Sequence, residues 1–114
     1  MNSYYKGIFA ENLAKILLLL KGYKIIDKRF KSRLGEVDII CLKKGVMIFV
    51  EVKQRRDKLQ FFDIINAKQK NRIIKASQVF LKKNNLHDVQ MRFDVIFITL
   101  PFYIKHIKNA FWAD

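Results

Sequence analysis

Three charged residues, Asp38, Glu51 and Lys53, stand in or directly after two apolar segments, 36–43 and 46–52. Val and Ile dominate both segments, which is typical of β-strands. Two carboxylates brought together there would repel each other, and a divalent cation would offset the repulsion. Because Mg²⁺ is commonly held by one or two carboxylates with water completing its shell, these residue types indicate a Mg²⁺ or Mn²⁺ site with a lysine beside it.

The two segments are predicted to pair as an antiparallel hairpin, since Lys44-Gly45 between them suits a two-residue turn with positive φ. Counting out from this turn places Asp38 opposite Glu51 and Glu36 opposite Lys53, with both pairs on one face. Directly opposed Cβ atoms lie about 5 Å apart, where like charges are destabilising. The other face is apolar throughout: Val37, Ile39, Cys41, Ile48, Val50 and Val52.

These acids have two interpretations. In the first, Glu36 pairs with Lys53 and the carboxylates face water at a polar hairpin end. In the second, the carboxylates hold a metal ion. The scarcity of glutamate favours the second, because the chain has seventeen Lys but only three Glu, and two of the three lie in this cluster.

Asp38 followed by Glu51-Val52-Lys53 resembles the PD-(D/E)xK motif of the restriction-endonuclease-like nuclease superfamily, with Val37 in place of the proline. Further segments resemble, in order, the YraN-like family of small bacterial proteins, and the likeness covers nearly the whole chain. These segments are Lys6-Gly7, Ala10-Glu11, Lys21-Gly22-Tyr23, Gly35-Glu36-Val37-Asp38, residues 49–53, Lys68-Gln69, residues 92–95, His106-Ile107 and Asn109-Ala110-Phe111.

The resemblance implies a restriction-endonuclease-like α/β core, α-β-β-β-α-β, with a mixed sheet flanked by helices. It also implies a Mg²⁺- or Mn²⁺-dependent endonuclease that cleaves phosphodiester bonds of nucleic acid, with DNA, including branched DNA, as the expected substrate. Asp38 and Glu51 would bind the metal. Lys53 would orient the attacking water and stabilise the charge that develops on the phosphoryl group.

A supporting shell of Glu11, Glu36 and Gln69 is implied in the same way. Glu11 resembles the helix acid of the archaeal Holliday-junction resolvases, which would reach the metal cluster. A second interpretation of Glu11 is an ion pair with Lys15, one helical turn away. Both interpretations stay open at this point.

A formal net charge of +13 on 114 residues predicts a polyanionic partner, and with the carboxylate cluster it predicts nucleic acid. The cations expected to contact backbone phosphates flank the proposed site in sequence: Arg29, Lys31, Arg33, Arg55, Arg56, Lys68, Lys70 and Arg72. Two other functions fit the charge, a nucleic-acid-binding protein without turnover and a basic adaptor at a protein or membrane surface.

The length predicts a single domain over residues 1–114. The one cysteine, Cys41, is predicted to be a buried core thiol, and no segment is long and apolar enough to cross a membrane or direct secretion. A cytoplasmic protein without a membrane partner is expected. An edge strand in so small a nuclease would be compatible with a homodimer.

Periodicity and capping signals predict the remaining elements: a helix over 3–21, a strand over 23–30, a helix from Ala67 to about Asn84 capped by Asn66, a central strand over 91–100 parallel to the second hairpin strand, and an edge strand or short helix over 102–111. The first helix is expected to bury Ile8 or Phe9, Leu13, Ile16, Leu17 and Leu20. Phe61 and Phe62 are expected to pack on the core, with flanking of the substrate as the alternative. Trp112 is expected to anchor the C-terminal tail by hydrophobic burial, with stacking on a base or a partner as the alternative, and His87 and His106 are given no role.

Overall fold

The computed structural model describes residues 3–56, 65–99 and 103–113, with the side chains of the first helix from Gly7 onward. Its elements are α1 (Ser3–Leu20), β1 (Lys24–Lys31), β2 (Glu36–Lys43), β3 (Val46–Gln54), α2 (Ala67–Lys83), β4 (Gln90–Thr99) and β5 (Tyr103–Phe111). The strands form one sheet in the order β1-β2-β3-β4-β5. Neighbours are antiparallel except β3 and β4, which are parallel. The predicted mixed α/β architecture is confirmed, with a fifth strand added at one edge.

The two helices cover opposite faces of the sheet. Successive strand residues point to opposite faces, and the core divides accordingly into an α2-side cluster and an α1-side cluster. Phe49 packs with Phe80 of α2, whereas its neighbour Ile48 packs with Ala14 of α1. The central strands are therefore buried on both sides, which explains their nearly continuous apolar sequences.

Helix α1 buries a different face from the one expected. Three of its residues are buried against the sheet: Ala10, Ala14 and Leu18. Several large apolar side chains expected there are exposed instead: Phe9 (44%), Ile16 (52%) and Leu20 (82%). Leu13 and Leu17, at the border, pack partly against the core. The expectation was wrong because small residues permit close approach of the helix to the sheet, and the side chain of Glu11, next to them, is only 16% exposed.

Neither helix in the described part of the chain has the length and apolarity needed to cross a bilayer. Helix α2 begins and ends where the sequence predicts. The side-chain oxygen of Asn66 accepts a hydrogen bond from the Gln69 backbone N–H at 2.8 Å, and Asn84 is the C-cap. Its buried residues are Ile73, Ala76, Ser77 and Phe80. Helix α2 thus forms the predicted crossover between parallel β3 and β4.

The hairpin turn and the cysteine also agree with expectation. Lys44 and Gly45 have φ values of 51° and 78°, as a two-residue hairpin turn requires. Cys41 is fully buried, and burial raises the pKa of its thiol to about 12. The cysteine is therefore an unreactive part of the core.

The C-terminal segment is a strand. β5 pairs with β4 as an edge of the sheet, which decides between the two predicted structures. Trp112 follows it and is 67% exposed, so the predicted burial of this residue is wrong. The predictions made for Phe61 and Phe62 concern residues outside the described ranges.

Candidate active site

The β2–β3 ladder is confirmed from its turn as far as the pair Ile39–Val50. Two predicted pairs lie beyond its end: Asp38 with Glu51, and Glu36 with Lys53. At that point Asp38 Oδ2 accepts a hydrogen bond from the Val52 backbone N–H at 2.8 Å. The strands are therefore joined there by a side chain in place of regular backbone pairing.

Asp38 also marks a change of face within β2. Val37 packs in the α2-side cluster, although Ile39, two residues on, packs in the α1-side cluster. In a regular strand the two would share a face, so the predicted placement of Val37 beside Ile39 is wrong. Arg29 of β1 lies opposite Asp38 in the β1–β2 register and has a φ of 54°. Both strands are thus irregular at the same level.

A cavity of about 270 Å³ opens at this level of the sheet. Residues from α1, β2, β3 and α2 line it: Gly7, Ala10, Glu11, Glu36, Asp38, Glu51, Val52, Lys53, Gln54, Gln69, Arg72 and Ile73. All six residues proposed as catalytic or supporting are among them. Elements far apart in the sequence therefore bring these side chains to one cavity.

The Asp38 and Glu51 carboxyl groups are close enough to affect each other's ionisation. The Glu51 side chain is 16% exposed. Burial, followed by the hydrogen bond with Asp38 and the charge on Asp38, raises the pKa of Glu51 to about 9, while Lys53 acts in the opposite direction. The Lys53 ammonium lies 3.9 Å from Glu51 Oε2. A proton or a cation at this carboxyl pair would therefore relieve the unfavourable interaction between the two acids.

Glu11 reaches this cavity from α1 and forms its ion pair with Arg29, whose Nε lies 3.2 Å from Glu11 Oε1. Of the two interpretations left open for Glu11, the ion pair with Lys15 is therefore not formed within the described residues, and the partner is a residue of β1. Burial and the charge on Asp38 raise the pKa of Glu11, and Arg29 opposes this shift. Glu11 belongs to the same electrostatic cluster as Asp38, which agrees with its predicted position near the site.

The beginning of α2 is held against the site by a backbone contact. Gly35 is buried beside Arg72, and a Cβ added to Gly35 would overlap the Arg72 carbonyl and Cα. The glycine therefore permits a close approach that any other residue would prevent. This approach brings Gln69 and Arg72 to the cavity.

The predicted phosphate-binding cations divide into two groups. Arg29 and Lys31 line an adjoining cavity of about 120 Å³, which shares Glu11, Glu36 and Asp38 with the main one; Arg72 lines the main cavity. The remaining cations line neither cavity: Arg33, Arg55, Arg56, Lys68 and Lys70. The Lys70 ammonium lies 6.0 Å from the centre of the Phe111 ring, and the Arg55 guanidinium donates to the Gln54 carbonyl at 2.8 Å.

A divalent cation fits the carboxyl pair chemically. In the described residues, no three acidic, histidine or cysteine side chains are gathered into a complete ligand set. Mg²⁺ does not require one, since it commonly takes one or two carboxylates and completes its shell with water and substrate oxygens. A cation bound by Asp38 and Glu51 would favour the ionised form of Glu51 and so offset its raised pKa. Asp38 and Glu51 are therefore suitable ligands for Mg²⁺ or Mn²⁺.

A buried polar cluster on the α1 side of the sheet was missed by sequence reasoning. Asp94 is fully buried and accepts hydrogen bonds at 2.8 to 2.9 Å from the Arg92 side chain, His106 Nε2 and the Asn109 backbone N–H. Arg92 also donates to the Tyr23 hydroxyl at 2.9 Å. The signal was an Arg and an Asp inside an otherwise apolar central strand. His106, which was given no role, thus forms a hydrogen bond with a buried carboxylate.

The fold and the site define a class of protein: a mixed α/β domain with a five-stranded sheet and an acidic cavity. The cavity lies where strands β2 and β3 separate. A sequence model of the uncharacterised protein family UPF0102 matches residues 10–98. The chain belongs to this family, which confirms the predicted kinship with the YraN-like proteins.

Relatives cover nearly the whole chain. It is 40% identical to a UPF0102 protein of Clostridioides difficile (strain 630), over 97% of this chain and 100% of that protein. It is 44% identical to one from Sulfurimonas denitrificans, over 91% and 94% of the two chains. It is 38% identical to one from Persephonella marina, over 100% and 99%. The similarity therefore includes every element that lines the cavity.

Proposed function

We propose that this protein is a metal-dependent endonuclease of the restriction-endonuclease-like type and that DNA, including branched DNA, is its substrate. One observation carries the proposal, the mostly buried carboxyl pair of Asp38 and Glu51 with the Lys53 ammonium 3.9 Å from Glu51. Burying two interacting acids is unfavourable unless a proton or a cation lies between them. A functional metal site explains why both acids are present.

The arrangement of the elements supports this assignment. Asp38 stands on the first strand of a hairpin and the Glu51-Val52-Lys53 triplet on the second, and the hairpin is followed by a helical crossover to a parallel strand. The order of these elements along the chain is compatible with the α-β-β-β-α-β core that the resemblance implies. β5 extends that core at the far edge.

The chain's own residues would divide the work of phosphodiester cleavage. Asp38 and Glu51 would hold Mg²⁺ or Mn²⁺, which when bound lowers the pKa of a water and polarises the scissile phosphate. Lys53 would orient the attacking water and stabilise charge on the phosphoryl oxygens, a contribution of about 3 kcal/mol for comparable groups. Gln69 and Arg72, near the beginning of α2, would hold a substrate phosphate.

A nucleic-acid-binding protein without turnover is the second candidate. The burial of Glu51 beside Asp38 favours it. This burial raises the pKa of Glu51 to about 9, and a protonated Glu51 would be electrostatically acceptable in the cavity without any metal. This candidate predicts binding that weakens steeply with salt, that does not respond to Mg²⁺ or Mn²⁺, and that is never followed by cleavage.

The test is incubation of supercoiled, single-stranded and four-way branched DNA with Mg²⁺, with Mn²⁺ and with chelator. Cleavage that needs metal and is lost in both Asp38→Asn and Lys53→Ala would support the endonuclease. Lys24→Ala is the control, since Lys24 is exposed at the other end of β1. Cleavage that survives in both site variants, or that ignores chelator, would overturn the proposal. Salt-sensitive binding without cleavage would support the second candidate.

A further inference from the structure

Glu11 is paired with a cation at the edge of the cavity. Its carboxylate lies 3.2 Å from Arg29 Nε, and the two side chains differ in exposure, 16% for Glu11 and 43% for Arg29. The acid is therefore largely covered, whereas the arginine side chain is partly exposed to solvent. An ion pair with one buried partner fixes its exposed partner more firmly than a fully solvated pair does.

Arg29 has an unusual backbone conformation for its position. Its φ of 54° falls within strand β1, whereas Lys44 has a similar φ in a hairpin turn. The other described non-glycine residues with positive φ are Asn85, Asp88 and Asn109, and these types tolerate the left-handed region. A strained residue at the edge of a site is a recognised indication of function.

Arg29 also lies at the boundary between two small cavities. It lines the cavity of about 120 Å³ with Asp38 and Lys31. It lines another of about 230 Å³ with Lys28 and Asn12. Glu11 is part of the wall of both. A phosphate entering beside Asp38 would therefore meet the Arg29 guanidinium at the boundary between the two cavities.

We propose that Arg29 binds a backbone phosphate of the substrate next to Asp38, and that Glu11 is the positioning residue that holds Arg29 for this contact and is not a metal ligand. The inference deepens the proposed nuclease function. Glu11 holds the Nε edge of the guanidinium before the substrate binds. The entropy cost of immobilising the Arg29 side chain on binding is therefore smaller. A planar guanidinium has the geometry to bind a carboxylate at one edge and a phosphate oxygen at another.

The first test measures binding of labelled duplex and branched DNA by fluorescence anisotropy, in chelator and at several salt concentrations. Arg29→Ala is expected to weaken binding about tenfold and to lower the salt slope by about 0.9, the value for one phosphate contact. Glu11→Ala is expected to weaken binding too, although removal of an acid near DNA should otherwise strengthen it. The double variant should bind no more weakly than Arg29→Ala.

Matched variants guard against unfolding. Glu11→Gln keeps an oxygen acceptor for Arg29 Nε and removes a negative charge, so it should bind DNA at least as tightly as the wild type. Arg29→Lys keeps a charge beside Glu11 but should bind more weakly because an ammonium lacks the planar fork. Lys24→Ala controls for the loss of one charge. Tighter binding by Glu11→Ala, or effects of the two alanine substitutions that multiply, would overturn the inference.

A second measurement separates this inference from the proposed function. Mn²⁺ affinity is measured by electron paramagnetic resonance without DNA. The Mn²⁺ dissociation constant of Glu11→Gln should stay within about twofold of the wild-type value, well below the tenfold change that corresponds to about 1.4 kcal/mol. Asp38→Asn should lose Mn²⁺ binding. Equal losses in both variants would make Glu11 a ligand and overturn the inference while the nuclease proposal stands. Unchanged Mn²⁺ affinity in Asp38→Asn would count against the nuclease proposal, and the anisotropy data would still decide the role of Arg29.

Discussion

The Asp38 carboxylate accepts a hydrogen bond from the Val52 backbone N–H at 2.8 Å, just beyond the last pair of the β2–β3 ladder. One side chain therefore has two tasks. Its Oδ2 joins the strands where backbone pairing ends, and its charge, with Glu51, forms the proposed metal site. The two tasks can be separated, because the hydrogen bond needs an acceptor oxygen and the metal site needs a negative charge.

Replacing Asp38 tests this separation. Asp38→Asn keeps an acceptor for Val52 and removes the charge, so we expect wild-type folding and complete loss of metal-dependent cleavage. Asp38→Ala removes both the acceptor and the charge. It should unfold at a lower urea concentration, with a free energy of unfolding about 1 kcal/mol below that of Asp38→Asn, the usual net contribution of one hydrogen bond. Urea unfolding of both variants gives the difference. Equal stability would show that the Asp38–Val52 hydrogen bond does not support the strand junction.

Glu51 should make the metal-free protein less stable as pH rises. Its ordinary pKa of 4.5 is raised to about 9 on folding, so between these values the folded state holds a proton that the unfolded state has lost. Stability that is present at pH 4.5 is therefore lost progressively towards pH 9. Glu51→Gln should remove this pH dependence. At pH 8 it should raise the free energy of unfolding by at least about 1 kcal/mol, the equivalent of roughly one pKa unit.

Denaturant midpoints in chelator at pH 5, 7 and 9 measure the slope for Glu51. Glu36→Gln is the matched control, since Glu36 is an exposed carboxylate at the same cavity, and it should leave the slope in place. Saturating Mg²⁺ should stabilise the wild type at pH 9 and have no effect on Glu51→Gln. An identical pH slope in wild type and Glu51→Gln would show that the carboxyl pair is not coupled to folding.

Gly35 should be indispensable for the position of α2. A methyl group at Gly35 would overlap backbone atoms of Arg72, which cannot rotate away. Gly35→Ala should therefore lower the free energy of unfolding by about 1 to 3 kcal/mol and move Gln69 and Arg72 from the cavity. Gly7→Ala is the control for stability, because no atom lies within 4 Å of its added Cβ and alanine is about 0.5 to 1 kcal/mol better than glycine inside a helix. Thermal melts of both variants check the prediction, and a Gly35→Ala melt at or above the wild-type temperature would contradict it.

Local sequence signals were sufficient where a structure depends on neighbouring residues. Lys44-Gly45 defined the turn, Asn66 and its partner Gln69 defined the beginning of α2, and the apolar run in β4 indicated a central strand. These features require no knowledge of distant residues. The clustering of glutamates at the cavity was also predictable, since the chain has only three Glu residues.

Sequence reasoning failed where the answer depends on packing between distant elements. Large apolar residues lie on the outer side of α1, because alanines allow closer contact with the sheet, and periodicity alone cannot distinguish two apolar faces. The register counted from the turn could not reveal that the β2–β3 ladder ends at the pair Ile39–Val50, just before Asp38. Likewise Asp94 and His106 are brought together only by β4–β5 pairing.

The orientation of α1 can be tested with two leucines two residues apart. Leu18 is fully buried and Leu20 is 82% exposed. We expect Leu18→Ala to cost about 2 to 5 kcal/mol and Leu20→Ala to stay within about 0.5 kcal/mol of the wild type. Urea unfolding of both variants gives the comparison. Similar losses at the two positions would mean that the outer face is covered in solution or that the helix is rotated.

Asp94 should control stability at acid pH. Burial opposes its ionisation, but hydrogen bonds from His106, Arg92 and the Asn109 backbone outweigh burial and hold the pKa of Asp94 below its ordinary value of 3.8. A depressed pKa stabilises the folded state above pH 3.8, and this contribution is lost as pH falls through the folded value. Asp94→Ala should cost about 3 to 5 kcal/mol at neutral pH, because the Arg92 charge loses its buried partner.

Acid unfolding followed by circular dichroism checks this prediction. Asp94→Asn should unfold with a weaker pH dependence below pH 4 than the wild type, since the titrating group is gone. Asp27→Asn is the matched control on β1, where the carboxylate accepts a local hydrogen bond from the Lys28 N–H at 2.8 Å on the surface, and it should keep the wild-type acid transition. A steeper acid transition in Asp94→Asn would show that the buried cluster is held together by packing and not by the ionised carboxylate.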